Sequence, residues 1–157
     1  MASPGMAPAP VPSSPQAPAN QPNLAKLAAQ VQVRGRAAWF YWIAALSVIN
    51  SAVVMFGGNF HFVVGLGLTS IVDSTSKDVG AAGAVLALVI NGFIAGMFAM
   101  FGYFACKAQK WAFIAGMSLY AIDGALCLMG SDILSAGFHA YVLYRLYTGF
   151  AAADQAA

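Results

Sequence analysis

The chain has 157 residues, of which 61% are hydrophobic and only 8% charged. An ordinary soluble domain carries about 45–50% apolar and about 25% charged residues, so seven basic and five acidic side chains are too few to keep the surface of so small a protein wet. The net charge of +2, without a basic stripe and interleaved aromatics, argues against a nucleic-acid partner, and lipid is the solvent this composition fits.

Residues 1–23 hold all seven prolines, with alanine, serine and glutamine between them and no charged or aromatic side chain. Such a segment buries too little apolar surface to offset its ordering entropy, so it reads as a disordered tail. Pro8, Pro10 and Pro12 favour polyproline II, which leaves a proline-motif ligand as the alternative. A secretory signal is not expected here, because no basic region precedes an apolar one. Residues 24–36 form a basic juxtamembrane segment: a short amphipathic helix over 24–33, then Arg34 and Arg36, with Lys26 upstream.

The first hydrophobic stretch, 37–56, is long enough to span a bilayer at about 1.5 Å per residue. Trp39, Phe40, Tyr41 and Trp42 open it as an aromatic anchor at the headgroup level. Gly57, Gly58 and Asn59 break it. In 60–72, Phe60, Val63, Val64, Gly67, Leu68 and Ile71 follow helical spacing while His61, Thr69 and Ser70 are polar. That segment is too short to cross, so an amphipathic or re-entrant helix is expected, with a fifth, tilted spanning piece as the alternative.

Three further spans lie at 81–106, 111–129 and 133–150, with a short tail at 151–157. The short linkers make the spans antiparallel neighbours. The expected fold is an all-α membrane protein, a bundle of four transmembrane helices over 37–150. Lys26, Arg34, Arg36, Lys107, Lys110 and Arg145 fall on one side of it, against Lys77 alone on the other. Basic residues stay inside, so the protein is expected in the cell membrane with both termini cytoplasmic.

Polar groups inside a bilayer are costly and therefore informative. From helix rise, Asn50 and Asn91 lie roughly 20 and 22 Å from the cytoplasmic ends of their spans, and Asp123 and His139 roughly 18 and 16 Å. Each span thus carries one strong hydrogen-bonding side chain at a similar level. One reading is structural, with the four residues bonding across the bundle. The other is a proton or ion relay in which Asp123 and His139 pair. Gly92 and Gly96, and Ala112, Gly116 and Gly124, mark expected helix-packing faces, within the chain or in a homo-oligomer. Arg145, among Tyr141, Tyr144 and Tyr147, is expected to snorkel to the headgroups, as Trp39 and Trp42 do at the first span.

No nucleophile elbow, phosphate-binding loop, dinucleotide fingerprint or zincin motif is present, so no catalytic residue is assigned and no enzyme is expected. Cys106 and Cys127 belong near opposite faces of the bundle and do not suggest a disulfide. No C-x-x-C or Cys/His run with zinc spacing occurs, so neither metal nor cofactor is expected.

Gly65–Asp73 (GLGLTSIVD), Lys110–Phe113 (KWAF), Tyr120–Gly124 (YAIDG) and Gly137–His139 (GFH) together resemble a group of small, uncharacterised bacterial four-helix membrane proteins, over about 36–149. The resemblance implies a bacterial multi-pass protein, and as the group has no assigned activity it transfers no site residues. The functional expectation is a structural or accessory membrane protein, acting through helix contacts with lipid, its own copies or another membrane protein. A small proton or ion transporter or channel component is the alternative.

Overall fold

Beyond Pro22 the chain has no proline, and alanine is its commonest residue, with leucine and phenylalanine abundant, so long helices are favoured there. The computed structural model describes residues 21–55 and 81–156. They form an all-α four-helix bundle: α1 Gln21–Met55, α2 Ala81–Cys106, α3 Lys110–Met129 and α4 Ile133–Ala156. The proline-rich residues 1–20 and the 60–72 segment lie outside the described residues.

Helix α1 has 35 residues and a length of about 52 Å. It unites the juxtamembrane segment and the first expected span. Gly35 is the weak point, and one interior glycine costs only about 1 kcal/mol. Packing offsets that, because Ala29, Val33, Ala37 and Phe40 form one buried stripe through the basic region. The stripe lies against the end of α4. Gln30 Nε2 donates to the Ala156 carbonyl at 3.2 Å, and Gly149 leaves room for Arg36 to approach. Helix α4 accordingly runs through 151–156, where composition alone suggests a tail, and buries Ala152, Ala153 and Ala156.

Helix α1 packs on both α2 and α4, α3 packs chiefly on α4, and α2 meets α3 more lightly. Short turns set this antiparallel order. Ala108, φ 58°, turns the chain between α2 and α3, and Ser131, φ 62°, does so between α3 and α4. Gly130 N–H donates to the Leu126 carbonyl at 3.0 Å, and Asp132 N–H to that of Cys127 at 3.0 Å. Asp132 then caps α4, its Oδ1 accepting the Ser135 N–H at 3.0 Å.

Aromatic rings fill the centre. Phe40 meets Phe98, Phe101 and Phe113 at centroid distances of 6.4, 6.3 and 6.0 Å. Phe98 meets Tyr120 edge-on at 6.2 Å. Gly116 makes room for Phe40, since a Cβ there would collide with its ring. Ala112, Gly116 and Gly124 thus face neighbouring helices. Gly92 and Gly96 do not: both are exposed, and among the described residues nothing lies within 4 Å of a Cβ at either position. The inward stripe of α2 is instead Asn91, Ile94, Ala95, Phe98 and Phe101, which turns the G-x-x-x-G outward. Among the described residues two segments, Val85–Cys106 and Lys110–Met129, are long and apolar enough to cross a membrane.

Candidate functional site

Helical spacing puts Tyr120, Asp123 and Cys127 on one face of α3, at i, i+3 and i+7. Across from them α4 presents His139. Gly124 permits the close approach, since a Cβ there would lie 2.8 Å from His139 Cβ. His139 Nε2 and Asp123 Oδ2 stand 2.8 Å apart, with side-chain exposures of 1% and 5%. The other ring nitrogen, Nδ1, is 2.7 Å from the Ser135 carbonyl. A carbonyl oxygen only accepts, so Nδ1 carries a hydrogen. Nε2 and the carboxylate then share one further proton, held either as imidazolium and carboxylate or as neutral imidazole and carboxylic acid.

Tyr120 stacks on this imidazole, with centroids 4.3 Å apart and planes 21° apart. It is fully buried, and its hydroxyl has no hydrogen-bond partner among the described residues. The Cys127 sulfur completes the group: ligand atoms of Asp123, Cys127 and His139 all lie within 4.8 Å of one another. At the start of α4, exposed Asp132 accepts from both the backbone and the hydroxyl of Ser135, one turn before His139. Those two hydrogen bonds hold the Asp132 carboxyl below the usual carboxylate range.

A second polar pair joins α1 to α2, where Asn91 Nδ2 donates to Ser51 Oγ at 2.8 Å. Asn50 and Ser47 are fully buried beside it in sequence, and Ser47 Oγ donates back to the Ile43 carbonyl at 2.8 Å. Asn50, Asn91, Asp123 and His139, the four residues expected to share a depth, are all interior. Asp123 and His139 meet directly, whereas Asn91 meets Ser51. Depth does not mark Ser51, Tyr120, Cys127 or Ser135. For Tyr120 and Cys127 the available signal is their helical spacing about Asp123.

Arg145 lies half-buried over the Trp39 and Tyr141 rings, its guanidinium carbon 5.4 and 5.6 Å from their centroids. Its Nη1 donates to the Tyr141 hydroxyl at 2.6 Å. Trp39 is thereby engaged with α4, through Tyr141 and Phe138, while Trp42 is exposed. No family model, curated protein or solved structure matches the chain.

Proposed function

We propose that this is a multi-pass membrane protein that crosses the cell membrane four times, with both termini cytoplasmic. Its role is structural or accessory, exercised through helix contacts. The observation that carries the reading is the inverted distribution of side chains. Val85, Leu86, Leu88, Val89 and Phe93 are exposed along α2, and Ile114, Leu119 and Ile122 along α3. Ser47, Asn50, Ser51, Asn91, Asp123, Ser135 and His139 are buried. A helix in water turns its apolar stripe inward and its polar face out. In lipid the outer surface is apolar, and polar groups find one another inside.

The two apolar segments, Val85–Cys106 and Lys110–Met129, support the membrane location. The ends of α1 and α4 support the orientation. Antiparallel order gathers Lys26, Arg34, Arg36, Lys107 and Lys110 at one end of the bundle, where Lys110 Nζ meets Asp154 at 2.6 Å. Basic residues mark the cytoplasmic side. The accessory role rests on how the interior polar groups are used. Both His139 nitrogens are engaged within the α3–α4 seam, and Asn91 is engaged with Ser51, so these groups join helices.

Alkaline carbonate extraction and subsequent proteoliposome reconstitution test both parts. The protein is expected to stay with the membrane until detergent is added, and liposomes containing it to show no Asp123-dependent proton or ion flux. Release by carbonate would overturn the membrane location. A flux abolished by Asp123→Asn would overturn the accessory role in favour of transport.

A further inference from the structure

The Asp123, Cys127 and His139 cluster has a chemistry that helix packing alone does not call for. We propose that it is a binding site for one divalent transition-metal ion of the zinc class, clamping α3 to α4. The donors are a carboxylate oxygen, a sulfur and an imidazole nitrogen, all within 4.8 Å of one another. Zinc takes these three ligand types at about 2.0–2.3 Å, which separates tetrahedral ligands by about 3.3–3.7 Å. To admit an ion, His139 Nε2 and Asp123 Oδ2, now 2.8 Å apart, open by about 0.5 Å, and any ligand pair near the 4.8 Å limit closes by about 1 Å.

Two observations independent of that clustering point the same way. The first is the His139 tautomer. Nδ1 donates to the Ser135 carbonyl at 2.7 Å, so the nitrogen aimed at Asp123 and Cys127 is the one that can offer a lone pair. Metal-ligating histidines are held in this manner, the non-ligating N–H donating to a carbonyl or carboxylate. The second is Tyr120. Its ring stacks on the imidazole and holds its plane, and its fully buried hydroxyl lacks a hydrogen-bond partner among the described residues. A buried hydroxyl left unpaired is costly. A water held by an ion on the neighbouring His139 would give it a partner.

The exchange balances in charge as well as in geometry. The ion displaces the proton shared by His139 and Asp123 and the proton of the Cys127 thiol, and both protons pass to water. A dication with one carboxylate, one thiolate and a neutral imidazole is a neutral unit, as a buried apolar setting demands.

The test uses the full-length protein purified in detergent and stripped with chelator, with Co2+ and Zn2+ as probes. The expected result is saturable binding of one Co2+ per chain, giving a thiolate-to-cobalt charge-transfer band and tetrahedral d–d absorption. Zn2+ displaces the cobalt. Cys127→Ser removes the charge-transfer band, and Cys106→Ser leaves it intact. His139→Gln and Asp123→Asn weaken binding by more than the roughly 10–100-fold that loss of a supporting residue costs. Tyr120→Phe retains the thiolate band and alters the d–d spectrum. All variants are compared at matched monodispersity and helix content. Cys127→Ser is close to isosteric, so the proposal stays testable if the charged-pair variants unfold. Absence of one-to-one Co2+ binding to the wild-type protein, or a thiolate band that survives Cys127→Ser, would overturn the site. Neither result depends on whether the protein resides in a membrane, so the two proposals fail separately.

Discussion

Gly124 lies directly beneath His139: a methyl group added at Gly124 would stand 2.8 Å from His139 Cβ and 3.1 Å from its Cγ. The separation of α3 and α4 is thus set where the Asp123–His139 contact forms. Gly124→Ala must push the helices apart or rotate the imidazole. Overpacking of this kind costs about 1–3 kcal/mol. The expected outcome is a lowered melting temperature in detergent, together with a weakened Asp123–His139 coupling.

The remaining glycines sort by what they face. Gly116→Ala should be among the most damaging small substitutions, because its Cβ falls on the buried Phe40 ring that joins α1, α2 and α3. Gly96→Ala meets nothing within 4 Å among the described residues, so helix propensity decides its effect. Stability should rise by up to about 1 kcal/mol. Thermal unfolding of the two variants, side by side, checks the contrast. Equal destabilisation would contradict the outward placement of Gly96.

Asp123→Asn, His139→Gln and the double variant make a thermodynamic cycle. Groups in direct contact couple by about 0.5–3 kcal/mol. Coupling in that range is expected from chemical unfolding in mixed micelles. Strictly additive effects would mean that the two side chains do not meet.

The capping carboxylate of Asp132 gives a pH dependence with a defined sign. The hydroxyl and backbone N–H of Ser135 lower its folded pKa below the unfolded value. The stability it contributes is therefore complete above the ordinary aspartate range, and is lost as the pH falls through the lowered folded value. Asp132→Asn caps the helix with a group that does not titrate, so its stability should be flatter through that acidic window. Asp132→Ala should cost about 1 kcal/mol at neutral pH. Melting curves of the three proteins between neutral and acidic pH test this.

Ala108 and Ser131 hold left-handed backbone in the two short turns, with φ of 58° and 62°. That conformation costs a non-glycine residue about 1–2 kcal/mol. Glycine's larger chain entropy offsets only about 0.5–1 kcal/mol of that, so Ala108→Gly should raise the melting temperature in a thermal scan, and a lowered one would contradict the strain.

Much of the bundle is legible in the sequence because hydrophobic length and short linkers determine helix count and antiparallel order. The ends of the helices are less so. Lys26, Arg34 and Arg36 make 24–36 look like a surface segment, yet Ala29, Val33 and Ala37 continue the core stripe between them. The same alanine-based packing extends α4 through Ala156. Interior polar residues can be found by depth, but helix rise carries no information on rotation about the axis. Depth therefore marks both Asn91 and Asp123 without showing that they belong to different seams. The rotation of α2 turns Gly92 and Gly96 outward for the same reason. Cys127 escapes a search for metal ligands as runs along the chain, because this cluster forms across two helices.

The four-span topology requires the α2–α3 turn and the α3–α4 turn to lie on opposite sides of a membrane. The decisive measurement is labelling of intact cells with a membrane-impermeant maleimide, using single cysteines placed by Ala108→Cys or Ser131→Cys in a chain carrying Cys106→Ser and Cys127→Ser. The cysteine at position 131 should label from outside, and the one at position 108 only after the membrane is permeabilised. Labelling of both positions in intact cells, or recovery of either protein in the soluble fraction, would refute the topology.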